Sequence, residues 1–205
     1  MRQGDPQLIT HTIEAAFRVQ GDSIPVDHGY ALYAALSRLP NAGAWLHRSE
    51  VVAIHPIRGQ YVGNGLLKLT DRSRLILRLP AAELPHILPL VGKTIEIDSH
   101  SLSIGVPQTT LLRPAAVLYA HSVTTRNGQD EARFDAEIQR QIAALEVHAK
   151  PTRGKRKVIR IKDKTVVAHA LLISELSADD SIHLQEAGLG GRRKMGCGLF
   201  IPWRG

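Results

Sequence analysis

The spacing of apolar positions changes several times along the chain, and each change predicts an element. Residues 12–19 alternate well enough for a strand, although Glu14 to Ala16 would equally suit a helix. After a turn at 21–25, Ala31, Leu32, Ala35, Leu36 and Leu39 recur at helical spacing. They predict a helix over 28–39, with Asp27 as its N-cap and 40–43 as its breaker. A short turn at 44–48 carries Trp45 and His47. Strands follow at 51–57, 66–69 and 74–79. Pro80 then opens a helix to about residue 90, and Gly92 ends it. Residues 94–98 and 101–104 read as a closing hairpin.

The second half repeats this order. A strand is predicted over 117–124. The clearest helix in the chain covers 130–145, with Phe134, Ile138, Ile142 and Leu145 on one face. Strands over 158–161 and 165–173 flank a turn at Asp163 and Lys164. Ser177 caps a helix to about residue 187, and a last strand starts at Leu199. Each half thus reads β-α-β-β-α-β, the ferredoxin-like (RRM-like) order. The predicted class is α+β, with two tandem units over 1–108 and 109–205 joined near 105–114.

Length and composition fit a globular chain with ample core, nearly half of it hydrophobic. No apolar run reaches the length of about 18 residues needed for a membrane span. The N-terminal stretch lacks the apolar core of a signal peptide. The single cysteine, Cys197, excludes an intrachain disulfide and fits a reducing, cytoplasmic setting.

Charge sharpens the picture. The formal net charge is +7. Residues 150–164 hold eight cations against one acid, and 188–205 add Arg192, Arg193, Lys194 and Arg204 with no acid. Two basic clusters over a balanced background point to a polyanion partner. A solvated charged face is the plainer alternative.

The most specific stretch is GLGGRRKMGCGLF, starting at Gly188. Gly188, Gly190, Gly191, Gly196 and Gly198 surround Arg192, Arg193 and Lys194. Glycine permits close backbone approach, and cations together with bare amides attract phosphate. Arginine grips phosphate bidentately, while lysine acts as a point charge. The segment therefore reads as a phosphate cradle rather than a solvated loop. Arg153, Lys155, Arg156, Lys157, Arg160 and Lys162 would track an RNA stem, which is read mainly through shape and backbone. A disordered basic loop over 150–157 is the alternative. With only nine aromatic residues, extensive stacking on single strands is not expected.

This loop, set before the last strand of a second ferredoxin-like unit, resembles the RAMP superfamily. More narrowly, the chain resembles CRISPR-associated endoribonucleases that cut precursor CRISPR RNA within its repeats. Three further stretches carry the likeness: VDHGYALYAALSR from Val26, WLH at Trp45–Leu46–His47, and IHPIRG from Ile54. They look most like a compact myxobacterial-type subtype. The resemblance implies metal-independent cleavage, in which the 2′-hydroxyl attacks the adjacent phosphate and leaves a 2′,3′-cyclic phosphate and a 5′-hydroxyl. It implies no cofactor. As partners it implies a hairpin repeat RNA, the mature guide RNA and other CRISPR effector-complex subunits, with no membrane partner. The sequence also lacks the clustered Asp/Glu motif of a two-metal site. The competing function is a non-catalytic RAMP subunit that holds guide RNA in an effector complex.

Internal attack needs a base, an acid and charge stabilisation. Histidine suits both proton transfers. His47 matches the aromatic-Leu-His position and is the first choice; otherwise it is a solvent-facing helix-end histidine. His28 opens the first helix, Tyr33 lies within it, and His55 lies on a strand. Each has a plain structural alternative, so the proton-transfer role stays open among His28, Tyr33, His47 and His55. The other histidines lie in no motif.

Overall fold

The computed structural model describes residues 11–203. Two separate cores organise it. The first gathers side chains from Ile13 to Ile104; the second gathers side chains from Leu118 to Phe200.

The first unit opens with β1 (Thr12–Gln20), whose buried Ile13, Ala15, Phe17 and Val19 alternate with outward residues. That period of two settles the strand against the helix alternative. After β2 (Ser23–Pro25) come α1 (Gly29–Ser37) and α2 (Ala42–Arg48). Then follow β3 (Ala53–Ile54), β4 (Gln60–Gly63), β5 (Leu66–Lys68) and β6 (Arg74–Pro80). A one-turn helix, α3 (Leu84–Ile87), leads to β7 (Thr94–Ile97) and β8 (His100–Leu111). The main sheet has the order β3-β6-β1-β8-β7, and β2, β5 and β4 form a small separate sheet.

The second unit is more regular. Its elements are β9 (Leu118–Val123), α4 (Glu131–Ala144), β10 (Lys150–Ile161), β11 (Lys164–Ser174), α5 (Ala178–Ala187) and β12 (Ile201–Pro202). The sheet order β10-β11-β9-β12 is that of a ferredoxin-like unit. Asp130 caps α4 by accepting from the Arg133 amide, and Ser177 caps α5 by accepting from the Asp180 amide.

Several expectations are corrected. The turn at 44–48 is helical, and of the strand at 51–57 only Ala53 and Ile54 are strand, paired with β6, with the His55 amide also donating to the Ile76 carbonyl. The helix over 80–90 breaks into short turns because Pro85 and Pro89 each remove an amide. The closing hairpin is longer than expected. β8 runs to Leu111, so the boundary at 108/109 falls inside a strand whose Leu111 still pairs with Ile13. The basic segment 150–157 is no disordered loop: it is the first half of the β10–β11 hairpin. Asp27 does not cap α1. Its carboxylate accepts instead from the Arg160 amide of β10, 2.6 Å away.

The units meet along the outward face of the first sheet. Arg78, buried on β6, bonds Glu14 of β1 and donates to the Gln185 carbonyl in the last turn of α5. Arg193 donates to the neighbouring Glu186 carbonyl. Two guanidiniums thus satisfy carbonyls that a helix C-terminus leaves free, where positive charge is favoured. No described helix is long and apolar enough to cross a membrane.

Candidate active site

α2 is held by its own sequence. Leu46 points into the first core, and the Trp45 indole N–H donates to Glu83 at 2.8 Å while its ring stacks on His86. Helical geometry then turns His47 outward, toward α1. His47 Nδ1 lies 3.3 Å from the Tyr33 hydroxyl, one turn inside α1.

The glycine-rich loop arrives at the same place. Gly29, the first residue of α1, has no room for a side chain: an added Cβ would press into the carbonyl of Met195. Gly196 takes φ +82°, and a Cβ there would lie 2.7 Å from the Pro56 ring. These close approaches seat the loop against the start of α1 and the end of β3. Lys194 is thereby placed beside α2, where its ammonium donates to the His47 carbonyl at 3.0 Å. Burial pushes the Lys194 ammonium below the usual lysine range, and Glu50 partly opposes this. Tyr33, His47 and Lys194 therefore come together from three segments.

The other two proton-transfer candidates sit elsewhere. His28 is buried, its Nδ1 2.7 Å from the Pro25 carbonyl and its Nε2 accepting from the Ile57 amide at 2.9 Å. Both ring nitrogens are occupied, which requires the neutral Nδ1–H tautomer. Burial lowers its pKa in the same sense. His55 lies on the covered face of the first sheet, with Nε2 3.1 Å from Glu14, and burial lowers its pKa too.

The loop does not offer the bare amides expected of a phosphate cradle. The amides of Gly188, Gly191, Gly196 and Gly198 donate to main-chain carbonyls, and that of Gly190 donates to Gln141. The glycines therefore have a structural return. Four of them take positive φ, three where backbone packs on backbone and Gly196 against the Pro56 ring, and only Gly191 faces open space. The three cations also part company. Arg192 is exposed and 3.3 Å from the Thr124 hydroxyl. Arg193 serves α5, and burial lowers its pKa to about 10, helped by nearby Arg78. Lys194 faces His47.

On the basic hairpin, Arg153 is held by Glu131 and Asp135 of α4. Lys155 and Arg156 are exposed around a bulge, and Lys157 is half-buried. Arg160 is exposed beside Asp27, and Lys162 sits in the hairpin turn at φ +55°. Sequence reasoning missed Thr124, Glu14 and Arg78. Of these, only Glu14 left a signal, as the one acid among the apolar residues of its strand.

The family model described as Cas6 Crispr matches residues 13–205. The chain belongs to the Cas6 family. It is 41% identical over 190 residues to the CRISPR-associated endonuclease Cas6 of Myxococcus xanthus (strain DK1622). That match covers 93% of this chain and 81% of the relative. Among solved structures, a CRISPR-associated Cas6 protein superposes with a TM-score of 0.66 at 12% identity, covering 95% of this chain and 99% of that one. A RAMP protein described as binding different RNA substrates gives 0.66 at 13% identity, covering 95% and 100%. Both share the tandem ferredoxin-like fold of this Cas6-family chain.

Proposed function

We propose that the protein cuts precursor CRISPR RNA within its repeats, using His47, Tyr33 and Lys194 and no metal ion. The observation that carries this reading is the contact of the Tyr33 hydroxyl with the His47 ring, with the Lys194 ammonium held on the His47 main-chain carbonyl, where α1, α2 and the glycine-rich loop meet.

When His47 Nδ1–H donates to Tyr33, Nε2 presents a lone pair and takes the proton of the 2′-hydroxyl. The 2′-oxygen then bonds to phosphorus and the bond from phosphorus to the 5′-oxygen breaks. The His47 imidazolium formed in that step gives its Nε2 proton to the leaving oxygen, which yields a 2′,3′-cyclic phosphate and a 5′-hydroxyl and restores the neutral ring. Lys194 offsets the charge that builds on the phosphoryl oxygens. His28 and His55, engaged in structural contacts, take no part. Arg192 and the outward cations Lys155, Arg156, Arg160 and Lys162 hold the RNA backbone.

Single-turnover cleavage of the repeat from the protein's own CRISPR array tests this. Cutting persists in EDTA, yields a cyclic phosphate, and stops with a 2′-deoxy nucleotide at the cleavage position while binding remains. Loss of cutting in EDTA would overturn the mechanism.

A further inference from the structure

Nine aromatic residues are available, and four are used internally. Phe17, Phe134 and Phe200 fill the two cores, while Trp45 braces α2. Two others and an imidazole form a row on the face of the second sheet turned away from α4. Tyr119 and His121 alternate with core-facing Leu118 and Ala120 along β9. The Tyr119 ring centroid lies 5.0 Å from that of His121, edge to face, and 4.9 Å from that of Trp203 just after β12. Neither Tyr119 nor Trp203 packs in the core beneath, and Trp203 is 48% exposed. The β9–β11 register shifts between the partners of Val123 and Ala120, a bulge that aims His121 outward beside Tyr119.

The surroundings are cationic. Lys157 of β10 and Arg58 after β3 lie close enough to His121 to disfavour its protonation, which burial already lowers. A neutral imidazole has the apolar ring face that stacking needs. The strand that carries the row continues into Thr124, the partner of Arg192 in the glycine-rich loop. Aromatic rings on an open four-stranded sheet stack two or three unpaired bases in RNA-binding folds of this order. The cations beside them complement the phosphates between such bases.

We propose that Tyr119, His121 and Trp203 form a stacking platform for single-stranded RNA, with Lys157 and Arg58 holding its backbone. Given the function proposed above, the occupant is an unpaired repeat segment adjoining the stem. The platform thus reads RNA outside the cleaved hairpin.

A Trp45→Phe background leaves Trp203 as the only tryptophan, so its fluorescence reports the platform directly. We expect quenching by a decamer of adenosine and by the whole 2′-deoxy-blocked repeat, but none by the stem-loop alone. Trp203→Ala should weaken binding of the decamer and the whole repeat about tenfold, leave stem-loop affinity within twofold, and keep the unfolding midpoint; Trp203→Phe should restore binding. Equal quenching by the stem-loop, or full decamer affinity in Trp203→Ala, overturns the platform. Because the decamer arm needs no cleavage, a repeat that is bound but never cut would sink the proposed activity and leave the platform standing.

Discussion

The ammonium of Lys194 rests 3.0 Å from the main-chain oxygen of His47, across 147 positions of sequence. The loop of the second unit thereby closes on the helix end of the first. In the proposed mechanism three segments complete one site, and displacement of any of them separates its groups.

Lys194→Ala should therefore slow single-turnover cleavage about 10- to 100-fold while changing RNA affinity only a few-fold, because its charge acts chiefly on the developing phosphorane. Burial lowers the Lys194 pKa, so the ammonium is lost at lower pH than in a free lysine. The wild-type rate should accordingly fall on the alkaline side, and that limb should vanish in Lys194→Ala. A pH–rate profile of the two proteins checks it.

His47→Ala should cut about 10²- to 10⁴-fold more slowly with a nearly unchanged Kd, the range of a lost general acid–base. Tyr33→Phe should cost less, because it removes only the group that orients the ring. His28→Ala should behave differently. It strips a buried amide, that of Ile57, of its acceptor, so the loss should register as a lower unfolding midpoint. Wild-type turnover in folded His47→Ala would move the role to another group.

The three adjacent loop cations should give three distinct phenotypes. Arg192→Ala should weaken RNA binding and flatten the salt dependence by about one ion, as loss of a phosphate contact does. Arg193→Ala should mainly destabilise, because its guanidinium holds the Glu186 carbonyl at the end of α5. Titrations at several salt concentrations, paired with thermal melts, separate them from Lys194→Ala.

Local pattern made much of this legible. The apolar stripe of Phe134, Ile138 and Ile142 predicts α4, and the alternation around Phe17 predicts β1. Glycine spacing located the loop. What stayed hidden depends on partners distant in sequence. Asp27 precedes a helix as a cap should, but its partner is Arg160 of the other unit. The sequence ranks His47 first but leaves His28 open as a candidate. Only the Pro25 carbonyl and the Ile57 amide, both folded around His28, show that its nitrogens are occupied. The loop glycines suggested free amides, whereas folding turns those amides onto protein acceptors.

The junction itself should fail in acid. Glu14 lies between His55 and Arg78, its side chain 25% exposed. Burial alone would raise its pKa, but hydrogen bonds and charge from His55 and Arg78 outweigh this and hold it at about 2, against 4.5 when free. The unfolded chain therefore binds the proton first as pH falls, so stability present above pH 4.5 drains away toward pH 2. His55 acts in the same direction from pH 6.5 downward, because burial lowers its pKa in the folded state. The Glu14 contribution amounts to about 3 kcal/mol. Glu14→Gln should remove the steep part of the acid limb, and should cost about 3–5 kcal/mol at neutral pH by leaving Arg78 buried without its counter-charge. Urea unfolding of both proteins between pH 3 and 7.5 checks the slope and the offset together; parallel curves would mean that Glu14 does not hold the junction.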